Sequence, residues 1–229
     1  IAGQVRAGSV TVGTTNLRNV DVRLTRDGAW TGFDGGLTVS DIPARAAGRV
    51  KVEGGTTTVE LRSGEATVRG VQARLRNAST VVVRDGTARL DNLALGVGSG
   101  SVTVSGTAGK TLALNAQLNA VPASLANNFA PGLNAGGTVS GTVKVTGAAA
   151  SPTIAYDIDW RGASTAQTAG AGFGGLSVKS TGRFAGGKLT FDTTLSEGSG
   201  ITMRGGGSVN TGGARALDLA FNGNVPFQF

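Results

Sequence analysis

Apolar and polar residues alternate along most of the chain with the two-residue period of a strand that has one apolar face. The pattern shows in Val10/Val12 and Val20/Val22/Leu24, in Val50/Val52, Val59/Leu61 and Ala73/Leu75, and in Val81/Val83. Leu112, Leu114, Ala116, Leu118 and Ala120 carry it on against Ala113, Asn115, Gln117 and Asn119. It is cleanest where Ile154, Tyr156, Ile158 and Trp160 alternate with Ala155, Asp157, Asp159 and Arg161. Val178, Phe184, Leu189, Phe191, Leu195, Ile201 and Met203 resume it, and Leu217, Leu219 and Phe221 face away from Asp218, Ala220 and Asn222. Arg26-Asp27-Gly28 and Arg84-Asp85-Gly86 predict hairpin turns, because Asp-Gly tolerates the positive φ of a tight turn. Val121-Pro122 predicts a strand end, since proline cannot donate to a ladder. Ser124 to Phe129 then reads as one helical turn, with Ser124 at the N-cap and Leu125 and Phe129 on one side. The small residues of Ala163 to Gly175 read as a loop or a weakly pinned strand.

No other window has helical periodicity over ten residues, so the chain has no amphipathic helices with which to cover a one-sided sheet. The sheet must cover itself as a sandwich, a closed barrel, a solenoid or a folded-over trough. Aromatics are 5% of the residues and glycine is 39 of 229, far above its usual roughly 7%. Small aliphatic side chains without bulky partners leave space between facing surfaces. Such a space, with few polar groups to orient a ligand, suits acyl chains better than a sugar or a nucleotide.

Charge and chemistry narrow the picture. Lys and Arg number 21 against 14 Asp and Glu, a net charge of +7, spread over outward strand positions with no basic cluster or basic helix. Nucleic acid is therefore not an expected partner; the cations serve a solvated face, anionic lipid headgroups or lipopolysaccharide phosphates. Cysteine and histidine are absent, which removes disulfides and histidine-based acid–base or triad chemistry. The glycine string from Gly170 to Gly175 lacks the Gly-Lys-Ser/Thr that a phosphate-binding loop requires. Asp157 and Asp159 share a polar strand face beside Arg161 and read as solvated surface; Ser140 sits on a strand, not on a nucleophile elbow. The chain is expected not to be an enzyme, with no catalytic residue, no metal site and no cofactor.

An internal repeat is visible. Leu90 to Gly100 aligns with Thr190 to Gly200 at an offset of 100, and Leu112 to Pro122 aligns with Leu217 to Pro226 at an offset of 104 at the proline. Successive modules closing on Val-Pro account for this, with Ile42-Pro43 as an earlier closure and divisions at 1–43, 44–122 and 123–226. The sequence starts at Ile1 inside a strand pattern and stops at Phe229 just after Val225-Pro226, so all of 1–229 is expected to be a fragment of a longer β-rich repeat protein.

The order Val121-Pro122-Ala123-Ser124-Leu125-Ala126, then Gly137-Thr-Val-Ser-Gly141-Thr-Val-Lys-Val-Thr-Gly147, then Pro152, resembles the TamB family of bacterial envelope proteins, within the wider AsmA-like group. The resemblance implies an all-β fold: an elongated, curled, taco-like sheet, U-shaped in section, with an apolar concave groove and essentially no helix beyond the turn near 124–129. It implies a periplasmic segment that carries phospholipid between the inner and outer membranes, assembles outer-membrane proteins, or both. The implied partners are phospholipid acyl chains, a TamA-type outer-membrane barrel reached through the full-length protein, and unfolded outer-membrane protein strands. The implied anchor is an N-terminal helix in the inner membrane, outside this segment. Groove residues would be those on the apolar phase: Leu112, Leu114, Leu118, Ile154, Tyr156, Ile158, Trp160, Leu189, Phe191, Leu195, Leu217, Leu219 and Phe221. Two other readings stay open. Alternating apolar residues in a sheet are ordinarily core, and a structural or adhesive β-solenoid of passenger type would fill that core and carry no lipid.

Overall fold

The computed structural model describes residues 2–12, 15–39, 41–170, 175–198, 200–212 and 216–224. It is all-β, with one antiparallel sheet of sixteen strands and two short helical segments. The strands are β1 (Gly3–Val12), β2 (Thr15–Asp27), β3 (Trp30–Val39), β4 (Ile42–Glu53), β5 (Thr56–Val68), β6 (Val71–Leu75), β7 (Ser79–Arg84) and β8 (Thr87–Val97). They continue as β9 (Gly100–Ala108), β10 (Thr111–Pro122), β11 (Gly136–Ala148), β12 (Thr153–Ser164), β13 (Leu176–Ala185), β14 (Lys188–Ser196), β15 (Thr202–Asn210) and β16 (Leu217–Asn224). Neighbours in the sheet are neighbours in sequence, with one exception: β6 and β7 divide a single place between β5 and β8. Such an order needs only hairpins, and the predicted Asp-Gly turns supply two of them. Asp85 and Gly86 take φ of 50° and 71°, and Gly28 takes 61°.

The chain forms two compact units. The first comprises Ile1–Gly98 and Thr103–Gly109, the second Ser99–Val102 and Lys110–Phe229. In the first, ladder pairing places Leu24, Phe33, Gly48, Leu61 and Ser79 in one row across β2, β3, β4, β5 and β7. The next row holds Val50, Val59, Val81 and Leu90. The other face is ionic. Arg49 lies between Asp27 (3.6 Å) and Glu60 (2.6 Å), with its guanidinium 4.6 Å from the Trp30 ring centre. Arg6, Asp21, Gly36, Arg45, Glu65 and Arg74 form a single row of alternating charge there, interrupted only by the glycine.

In neither unit does a second layer of secondary structure pack on the sheet among the described residues; the substantial strand contacts are between ladder neighbours. Burial is correspondingly slight. Among the described residues no large side chain is fully buried, and the buried apolar residues are Ala123, Ala135, Ala163, Leu176 and Ile201.

Three local expectations are corrected. The helical turn is a 3-10 segment at Ala123–Asn128, with Pro122 rather than Ser124 at the N-cap and no side-chain cap. Pro122 brings its fixed φ of −60° to the first orphan amides, so the turn begins one residue early. Ile42-Pro43 opens β4 and does not end a strand. Within 163–175, Ala163 and Ser164 complete β12 and Ala166–Gly170 forms the short helix α1, opened by Thr165, whose hydroxyl accepts from the Thr168 amide. Val225-Pro226 of the repeat, and residues 171–174 of the glycine string, lie outside the described residues.

Candidate apolar binding face

Register decides which side chains share a face, because residues directly opposite each other in an antiparallel ladder point the same way. In the second unit Leu114, Val145, Ile154, Phe184, Leu189, Val209 and Leu217 are successive partners across seven strands, β10 to β16. The adjoining row is Ala116, Val143, Tyr156, Gly182, Phe191, Gly207 and Leu219. After it comes Leu118, Gly141, Ile158, Ser180, Thr193, Gly205 and Phe221. A fourth row holds Val121, Val139, Trp160, Val178, Leu195, Met203 and Gly223. Leu112 stands opposite Gly147 at the margin.

All thirteen residues expected from the sequence therefore lie on one face of one sheet. Those on β10, β12 and β14 are half-buried, whereas Leu217, Leu219 and Phe221 on β16 are exposed. The same rows add Val139, Val143, Val145 and Val209, which strand-by-strand reading left out, and bring in Phe184 from the alternation of β13. The valines of β11 alternate too, and that period was the signal available for them.

On this face large side chains lie over glycines. A Cβ on Gly182 would come within 2.5 Å of the Tyr156 ring, and one on Gly205 within 2.0 Å of the Phe221 ring. Phe191 has Gly182 on one side and Gly207 on the other. Aromatic rings laid on cross-strand glycines shield the backbone that glycine leaves bare. Polar atoms within the face are satisfied among themselves. The Ser180 hydroxyl is 2.9 Å from Thr193 Oγ1 and 3.4 Å from Tyr156 Oη, and the Trp160 indole donates to the Gly136 carbonyl at 2.7 Å.

The reverse face carries Lys144, Asp157, Asp159, Lys179, Arg183, Asp192 and Arg204, as the alternation requires. Asp159 sits opposite Lys179 and 3.4 Å from Arg161. In the first unit the ionic face holds a depression of about 670 Å³ bordered by Asp21, Arg23, Asp34, Arg45 and Glu65. The Asp21 carboxyl there is held below its ordinary range, first by a hydrogen bond from Gln4 and then by Arg6 and Arg23. Glu60 likewise raises the already high pKa of Arg49. Among the described residues no group of carboxylates is placed to hold a metal ion. No protein family, no curated protein and no solved structure matches the chain.

Proposed function

We propose that the apolar face of the second unit receives phospholipid acyl chains, and that the chain is a periplasmic segment of a TamB-like envelope protein moving lipid between two membranes. The observation that supports this reading is the four-row apolar face across β10 to β16 with no packed layer upon it among the described residues. Soluble proteins seldom leave more than a few hundred Å² of contiguous apolar surface without an occupant. Acyl chains suit this surface: they need no hydrogen-bonding partner, and the polar atoms within it already have theirs. Each CH₂ withdrawn from water contributes about 0.8 kcal/mol, while headgroups stay wet at the rim. Work on outer-membrane protein strands, through a TamA-type barrel partner of the full-length protein, is part of the same reading.

The test is native mass spectrometry with lipid extraction on the segment expressed in a bacterial periplasm. Phospholipid that co-purifies with the wild type and is lost from Ile158→Asp supports the reading. A stable, lipid-free wild type refutes it and favours a structural module.

A further inference from the structure

The apolar rows of the second unit are interrupted at one place by hydroxyl groups. Tyr156 on β12, Ser180 on β13 and Thr193 on β14 all belong to this face. Ser180 and Thr193 are ladder partners in the row of Ile158, and the Tyr156 ring lies across Gly182 in the row beside it. Around them the same face carries Ile158, Val178, Phe191 and Leu195. Ser180 is 9% exposed, and Tyr156 and Thr193 are half-buried.

Each of the three oxygens has a partner within the trio, but the protons do not balance. Three hydroxyls carry three protons, and the trio makes only two contacts, Ser180 to Thr193 at 2.9 Å and Tyr156 to Ser180 at 3.4 Å. Whichever way these bonds run, one O–H has no acceptor among the described residues. The Tyr156 contact is long for a bond between hydroxyls, so that group is the freest to turn elsewhere. With the face open to solvent, water accepts the spare proton. A chain laid over the trio displaces that water, and the hydrogen bond is lost unless the chain supplies an oxygen of its own.

Resting on the acyl-chain reading, we infer that the hydroxyls of Tyr156, Ser180 and Thr193 form a polar subsite that donates a hydrogen bond to the ester carbonyl of an acyl chain. A carbonyl oxygen accepts and brings no proton, which matches a site with one donor in surplus. A free fatty acid matches less well: no charged residue stands in the four rows, so a carboxylate would have no counter-ion there. The subsite selects ester-linked chains over ether-linked or plain hydrocarbon chains of the same length. It sets no direction along the face, and one hydrogen bond is readily exchanged with water as a lipid passes.

The probes are myristoyl lysophosphatidylcholine and its ether-linked analogue of equal chain length, which differ by one carbonyl group and are used below their micelle concentrations. The wild type should bind the ester roughly tenfold more tightly than the ether. In the infrared, the isotope-labelled ester carbonyl should shift to lower frequency when bound. Any single substitution within the trio removes a proton together with a contact, so the test is the shape-conserving triple variant Tyr156→Phe/Ser180→Ala/Thr193→Val. It should bind both probes alike, with no carbonyl shift. Should that variant fail to fold, the wild-type affinity ratio and carbonyl band decide alone. Equal binding of the two probes by the wild type, or an ester preference that survives in the triple variant, overturns the subsite and leaves the acyl-chain reading standing. Absence of binding by either probe refutes that reading and the subsite with it.

Discussion

Replacing Ile158 with Asp separates a binding face from a packed core. Ile158 is half-buried, and its ladder partners are Gly141 and Ser180, so neither residue directly opposite it is large. Complete burial of such a side chain is worth about 1.5–3 kcal/mol, and half-burial therefore about 1 kcal/mol. The poor strand propensity of Asp adds up to about 1 kcal/mol. The sum, about 2 kcal/mol, lowers Tm by about 4–8 °C in a chain of this size and leaves a domain with ordinary stability folded. Leu176→Asp is the control. That side chain is 3% exposed, and an unpaired carboxylate there costs several kcal/mol beyond the lost apolar burial. Circular dichroism melts, together with lipid occupancy by native mass spectrometry, should show Ile158→Asp folded but lipid-free and Leu176→Asp largely unfolded. Equal loss of Tm in the two variants would show a packed core and refute the reasoning. So would an Ile158→Asp protein that kept its lipid.

Three further outcomes follow from the geometry. Gly182→Ala displaces only the Tyr156 ring and should cost about 1–2 kcal/mol. Gly137→Ala, at φ +87° with its Cβ 2.3 Å from the Arg161 carbonyl oxygen, should cost distinctly more, and chemical denaturation of the two variants ranks them. Asn127→Ala removes both hydrogen bonds to Ala135, a loss of about 1–2 kcal/mol, and should speed limited proteolysis within 123–135. Asp21 has a depressed carboxyl pKa, so its stabilising contribution is present above the unfolded value of 3.8 and is lost as pH falls through the folded value. Gln4→Ala should therefore move the Asp21 titration upward, towards 3.8, in a carboxyl-detected NMR series, and lessen the stability lost as pH falls below 3.8.

What the sequence made legible was whatever depends on one strand at a time. Ile154, Tyr156, Ile158 and Trp160 reveal their common face by alternation alone, and Asp85-Gly86 reveals its turn by backbone preference. Pairing is different. That Phe184 meets Ile154 on one side and Leu189 on the other follows from register, and register depends on hairpin lengths and on bulges such as that between Leu118 and Val121. The bulge carries Ala120 at φ 46°, a conformation that an alternating alanine gives no reason to expect. Helix α1 was hidden for another reason. Five residues without an apolar stripe give periodicity nothing to act on, and its start is fixed by the Thr165–Thr168 hydrogen bonds.

Glycine shows most clearly why pairing matters. Read in sequence, an excess of glycine means turns and loose chain, and Gly28, Gly86 and Gly186 fit that description. Gly141, Gly182, Gly205 and Gly207 do not, because they lie inside strands on the apolar face, where glycine weakens a strand. Their place is explained only across the ladder: Gly182 and Gly205 lie beneath Tyr156 and Phe221, and Gly207 is paired with Phe191. A facing layer of side chains needs projecting groups to interlock with, and glycines beneath flat rings remove those projections. The result is a surface with few projections for a second sheet to lock into, which supports the proposal that the thirteen residues form a binding face.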